Sequence, residues 1–239
     1  MNRRHAWWAV RAAAVAYETE AAGLALATAY GFVAYRYIEV GDSQAVIVET
    51  PEGAVYAVIR GTQFRVRRSW SDIFTNGFCD QVPWIYGGHV AAGYLAHAER
   101  LIEALARALA GARDVIIGGH SMGGAVALPL ARRLDAAGVI TFGAPRFGDS
   151  AFAAEFRAWL GESLAWHMRF VNRGDPAPAF PFGGVVAGSK PQRGAGWAHD
   201  CPAIPIRGGG VFLGAHDIER YIRGVDRWMA TGEVGHYLL

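Results

Sequence analysis

A chain of 239 residues is long enough to bury one sizeable core, and its 52% hydrophobic and 18% charged residues exclude the intrinsically disordered class. A formal net charge of +2, with no basic block or stripe, argues against a nucleic-acid binder. Two cysteines, Cys79 and Cys201, are too few for a disulfide framework and neither sits in a metal-ligand pair, so two buried thiols are expected over a single bridge.

Arg3 and Arg4 followed by the apolar run Ala6–Val10 resemble a secretory signal only at first sight. Arg11 interrupts the run early and no strong small-residue cleavage site follows, so a helix start is the reading and a cytoplasmic location the default, with secretion the alternative. No transmembrane segment is expected, because Arg11, Glu18 and Glu20 break the longest candidate. Apolar residues across 4–30 predict one or two amphipathic helices, broken near Gly23. Three strands are predicted next, over 32–40, 45–49 and 54–59, with Pro51-Glu52-Gly53 as the turn between the last two. Residues 61–88 read as a long irregular aromatic connection, of the kind that is usually functional.

From there the pattern alternates. Leu95, Ala98, Leu101, Ile102, Leu105 and Leu109 predict a helix over 90–110, ended by Gly111. A buried strand at 114–118 and a helix at 122–134 follow, with Pro129 expected to kink that helix. Further on come a strand at 139–142, a helix at 150–159, a strand at 167–171 and a closing helix at 215–229. Alternating strands and helices imply a largely parallel sheet flanked by helices. No repeat, low-complexity segment or linker divides the chain, so residues 1–239 are read as a single domain.

Gly119-His120-Ser121-Met122-Gly123 matches G-x-S-x-G, and its setting between a strand and an alanine-rich helix is the one a nucleophile elbow requires. Such a turn projects the serine from the sheet, and the following helix start points its N–H groups at a developing oxyanion. A serine there needs a base and an orienting acid, in the chain order Ser, Asp/Glu, His. His216, where a loop meets the last helix, is the expected base and His199 the alternative; His167 lies in a strand and His236 near the end of the chain. Asp175, just past a strand end, is the expected acid, with Asp149, Asp200 and Asp217 as alternatives. Asp149 reads better as a helix cap, and Asp217 is too close to His216 in sequence.

Taken together these segments resemble the fungal-type (class 3) lipases of the α/β-hydrolase fold. Val58-Ile-Arg-Gly-Thr62, Ser69-Trp-Ser-Asp72, His89–Tyr94, Thr141-Phe-Gly-Ala-Pro-Arg146, Val171-Asn-Arg-Gly-Asp175 and Ala215-His216-Asp217 are similar to that family's motifs, in the same order, across roughly residues 55–220. The resemblance implies a mostly parallel central sheet flanked by helices, with antiparallel strands near the N-terminus. It implies Ser121 as nucleophile, Asp175 as acid and His216 as base. It also places oxyanion donors at Thr62 and Met122, with Asp72 holding the Thr62 hydroxyl.

The implied activity is hydrolysis of lipid or acyl esters through an acyl-enzyme, with no metal or cofactor required and transient contact with a lipid surface. Phospholipase, acyltransferase or feruloyl-esterase chemistry on the same triad is the nearest alternative, and a silent binding protein of the same fold the more distant one. Arg65, Arg67 and Arg68 occupy the stretch where relatives often carry a lid. They form either a solvated charged face or an attraction site for anionic headgroups. Phe74, Phe78, Trp84, Tyr86, Phe180 and Phe182 are candidates either for a pocket rim or for a small core under the long loop.

Overall fold

The structure is a computed structural model that describes residues 3–62, 79–181 and 196–232. It opens with helices α1 (Arg3–Val15) and α2 (Glu20–Tyr30). The break between them falls at Thr19 rather than near Gly23. Thr19 has extended backbone and its hydroxyl accepts from the Ala22 N–H, which starts a new helix. Gly23 lies inside α2, against the Tyr35 ring. The alanines of α1 are explained by packing: Ala6, Ala9, Ala12 and Ala13 are buried, and small side chains let the helix lie close to the sheet. Arg11, the charge that interrupts the apolar run, stacks 3.8 Å over the Trp7 ring and pairs with Asp226 at 3.0 Å.

Three strands follow as predicted, β1 (Ala34–Val40), β2 (Ser43–Glu49) and β3 (Val55–Ile59), all antiparallel. Val40 pairs with Ser43, so Gly41 and Asp42 form a two-residue hairpin turn. The remaining strands and α-helices among the described residues are β4 (Gln81–Pro83), β5 (His89–Ala91), α3 (Ala92–Ala108), β6 (Ile116–His120), α4 (Met122–Arg133), β7 (Gly138–Phe142), β8 (Gly148–Asp149), α5 (Ser150–Glu162), β9 (Trp166–Asn172), β10 (Trp197–Ala198), β11 (Ala203–Ile206) and α6 (Ile218–Thr231). The α4 helix runs through Pro129, which is buried within it.

Among the described residues the main sheet has the order β1-β2-β3-β6-β7-β9-β11. From β3 onward every pairing is parallel. A small antiparallel sheet, β10-β8-β5-β4, stands apart from it. This is the α/β-hydrolase architecture that the resemblance implied, built on the largely parallel sheet that the strand–helix alternation predicted.

Side chains alternate along the strands with the period of two that a sheet covered on both faces demands. Tyr56, Val58, Ile140, Phe142, Met168 and Phe170 pack toward α1 and α6. Ala57, Ile59, Ile117 and Val139 pack toward α3, α4 and α5, where Leu101, Leu105, Leu130 and Phe156 complete a second core. Trp84 belongs to this second core, edge-on to Phe147 and Phe152, while Tyr86 is exposed with Arg132 stacked on its ring. Phe180 is partly buried against the same core. Arg65, Arg67, Arg68, Asp72, Phe74, Phe78, Phe182 and His236 lie outside the described residues. Neither cysteine forms a disulfide, and both are partly rather than fully buried.

Candidate active site

β6 ends at His120 and α4 begins at Met122, so Ser121 alone makes the turn. Its φ of 58° and ψ of −132° lie in a region that L-residues rarely occupy. The turn survives because its neighbours leave room. A Cβ at Gly123 would drive into the Ile59 carbonyl, and one at Gly119 into the Gly123 backbone. These two glycines explain the spacing of the pentapeptide.

Two further segments meet the serine. His216 ends the short turn Phe212–Ala215, just before Asp217 caps α6 by accepting from the Glu219 N–H at 2.8 Å. Its Nε2 lies 2.7 Å from Ser121 Oγ and its Nδ1 lies 2.8 Å from Asp175 Oδ2. Asp175 follows β9 by three residues, and its side chain is wholly buried. Its Oδ1 accepts from the Ala177 N–H at 2.9 Å, and its Oδ2 also accepts from the Tyr221 hydroxyl at 2.5 Å. An imidazole flanked in this way keeps its proton on Nδ1 and donates it to the carboxylate, which leaves the Nε2 lone pair facing the serine hydroxyl.

Residues not singled out in the sequence hold this line in place. The Asn172 side chain, at the end of β9, donates to the Ala215 and Gly209 carbonyls at 2.8 and 2.9 Å and accepts from the Gly208 N–H at 2.7 Å. It thereby clamps the loop that delivers His216. Tyr221 projects from the first turn of α6, and its oxygen accepts from the Asn172 N–H at 3.1 Å while donating to Asp175. A polar residue ending an apolar buried strand was the available signal for Asn172. Nothing local in the sequence marks Tyr221.

Tyr17, between α1 and α2, reaches His120 Nδ1 at 2.7 Å. The His120 ring lies 4.6 Å from that of His216, tilted by 33°. Burial holds His120 well below its usual pKa, and the charge of His216 acts in the same direction. His120 is therefore a neutral plate beside the base, and it adds no fixed charge.

Thr62 lies three residues past the end of β3, and its hydroxyl donates to Met122 Sδ at 3.4 Å. This contact sets the segment after β3 against the elbow. Met122 is the first residue of α4, so its N–H has no intrahelical acceptor. The contact expected between Asp72 and the Thr62 hydroxyl falls on a residue outside the described ones.

The alternatives are placed elsewhere. His199 Nε2 lies 2.7 Å from the Pro178 carbonyl. Asp149 caps α5 through the Phe152 N–H at 2.8 Å and also binds the His89 backbone and ring. Asp200 pairs with His167 at 2.7 Å. Arg146, in the Gly-x-Pro-Arg stretch, donates to the Ala179 and Pro181 carbonyls and so braces the loop behind Asp175.

The profile described as "Lipase (class 3)" matches residues 56–184, more than half of the chain. The chain belongs to the class 3 lipase family. The part matched to these lipases holds Thr62, Ser121, Met122 and Asp175, and stops short of His216, whose position rests on the geometry alone. Among solved structures, the lipase of Rhizomucor miehei in its propeptide complex is 20% identical with a TM-score of 0.55, over 74% of this chain. The chain spans only 62% of that lipase's length. Lip2 lipase from Yarrowia lipolytica is 18% identical with a TM-score of 0.60, over 85% of this chain and 78% of the other. At such identities the likeness shows the shared fold. No curated protein sequence matches the chain.

Proposed function

We propose that this member of the class 3 lipase family hydrolyses carboxylic esters of lipids through a covalent intermediate on Ser121. One observation carries the reading: the unbroken line from Ser121 Oγ through His216 to Asp175, at 2.7 and 2.8 Å, with the serine held at φ 58°. His216 Nε2 takes the hydroxyl proton as Oγ attacks the ester carbonyl. The N–H groups of Met122 and Thr62 receive the oxyanion, each such donor being worth about 3–4 kcal/mol of barrier in comparable sites. His216 then protonates the departing alcohol, and in the second half it draws a proton from water that attacks the acyl carbonyl. Asp175 keeps the imidazole in one tautomer and balances its charge during both transfers.

The lipid character of the substrate is supported by the surface next to the histidine. Val211, Phe212 and Leu213 are 76%, 76% and 55% exposed on the loop that leads into His216. Three consecutive exposed apolar side chains suit contact with an acyl chain or a lipid surface. Among the described residues no helix is long and apolar enough to cross a membrane.

The test is hydrolysis of p-nitrophenyl esters of increasing acyl length by the wild type and Ser121→Ala side by side. The proposal expects turnover that Ser121→Ala abolishes, with medium or long chains preferred. Turnover confined to acetate would leave a short-chain esterase. Absence of turnover at every length by folded protein would remove the assignment.

A further inference from the structure

Beyond the ester site, the described residues bring one set of unlike ligand atoms together: Nδ1 of His167, Oδ2 of Asp200 and Sγ of Cys201. His167 belongs to β9, and the other two lie in the segment between β10 and β11. Nδ1 stands 2.7 Å from Oδ2 and 3.3 Å from Sγ, and all three atoms lie within 4.8 Å of one another. A single ring nitrogen thus faces both a carboxylate and a thiol. A nucleophilic relay would need them on opposite ring nitrogens. Here Nε2 is engaged instead by Thr141 Oγ1 at 3.0 Å. The set is therefore no second catalytic centre, since its three atoms converge on one point beside Nδ1.

The surroundings fix that point. The ring is oriented from behind by Thr141, as the far nitrogen of a ligating histidine commonly is. The backbone carrying the other two ligands is held at both carbonyls, with Arg157 donating to Asp200 O and Arg169 to Cys201 O, each at 3.1 Å. The His167 and Asp200 side chains are 1% exposed, whereas Cys201 is half-buried. Cys79 belongs to no such three-ligand group among the described residues and serves as an internal contrast.

We propose that His167, Asp200 and Cys201 form a site for a thiophilic divalent cation of the zinc class. Bond lengths of about 2.0 Å to nitrogen and 2.3 Å to sulfur give a tetrahedral N···S edge of roughly 3.5 Å, close to the 3.3 Å present. The carboxylate must open from 2.7 Å by about 0.7 Å to reach its own edge. Coordination requires Nδ1 without its proton, with Nε2–H donating to Thr141, and Cys201 as thiolate; the displaced protons pass to the solvent. The carboxylate and thiolate offset the two charges of the ion, and a water fills the fourth position on the Cys201 side. Such an ion ties β9 to the segment that opens β11, the edge strand beside it. The ester chemistry does not use it.

The experiment is titration of the EDTA-stripped full chain with Co²⁺, read by the near-ultraviolet charge-transfer absorption that only thiolate–cobalt bonds give. The expected result is a band saturating at one equivalent, bleached by Zn²⁺, lost in Cys201→Ser, weakened in Asp200→Asn and retained in Cys79→Ser. Zinc should also raise the Tm of wild type and of Cys79→Ser but not of Cys201→Ser, with circular dichroism establishing that each variant is folded. A wild-type chain that gives no band, or a band that survives in Cys201→Ser, overturns the proposal.

Discussion

Tyr221 donates to the same oxygen of Asp175 that faces His216 Nδ1, while its own oxygen accepts from the Asn172 backbone. One phenol therefore joins the end of β9, the acid and the first turn of α6. Tyr221→Phe keeps the ring and removes the hydroxyl. A hydrogen bond to a charged group contributes roughly 1.5–3 kcal/mol, so kcat should fall by about 10- to 100-fold. KM should change little, because the hydroxyl touches no substrate. Steady-state kinetics on one ester checks this, and an unchanged kcat would show that Asp175 is positioned without Tyr221.

Gly143 stands directly behind the acid–base pair at φ 59°. A Cβ there would come within 2.8 Å of both Asp175 Oδ2 and the Tyr221 hydroxyl and within 3.1 Å of the His216 ring. Gly143→Ala is expected to cost more than 10-fold in kcat in addition to stability. Gly41 gives the control, since its φ of 62° is similar but nothing lies within 4 Å of its Cβ position. Gly41→Ala should lose about 1–2 kcal/mol from backbone strain alone and retain full activity. Equal activity in the two variants would contradict the crowding at Gly143.

Asp149 illustrates a carboxylate whose work is structural. It receives the Phe152 N–H at the start of α5 and the His89 backbone and ring, and these hydrogen bonds hold its carboxyl below the usual range against the opposing effect of burial. Asp149→Ala removes a helix cap and strands buried donors, for a loss of about 2–3 kcal/mol. Urea unfolding should show that loss while kcat/KM per folded molecule stays within a factor of two or so. A selective collapse of kcat would reassign Asp149 to the reaction.

Much of this arrangement was legible in the sequence because the signals are local. The glycines of 119–123 announce the elbow through steric necessity, and the 3.6-residue pattern of 92–108 announces α3. The order of segments placed Asp175 and His216 at the ends of later elements. What escaped notice depends on distant partners. The edge strand β11 contains Pro205, which weakens a strand pattern but is tolerated at an edge. The two-residue strands β8 and β10 have no periodicity to read. Tyr221 and Tyr17 meet their histidine and carboxylate partners only after residues 46 and 103 positions apart come together.

Two buried histidines, His97 and His120, weaken the fold in acid. Burial lowers the pKa of His97, with Asp42 opposing and Arg100 adding to the shift, and burial lowers that of His120 further. Both are neutral when folded and take up a proton when unfolded below about pH 6.5. At these two groups the unfolded chain thus binds more protons, so their contribution to stability falls as pH falls through that value. Depression of Asp149 adds to the loss at lower pH. The urea midpoint should drop between about pH 7.5 and about pH 5, and His97→Asn should make the drop shallower. A midpoint that holds or rises over that interval would refute the assignment of neutral buried rings.

The most direct test of the central claim is to trap the nucleophile. The wild-type chain treated with a fluorophosphonate should form one covalent adduct, located by peptide mass spectrometry at Ser121, with ester hydrolysis lost in proportion to labelling. His216→Asn should label far more slowly while remaining folded. An adduct at any other residue, or hydrolysis that persists in the fully labelled protein, would contradict the account.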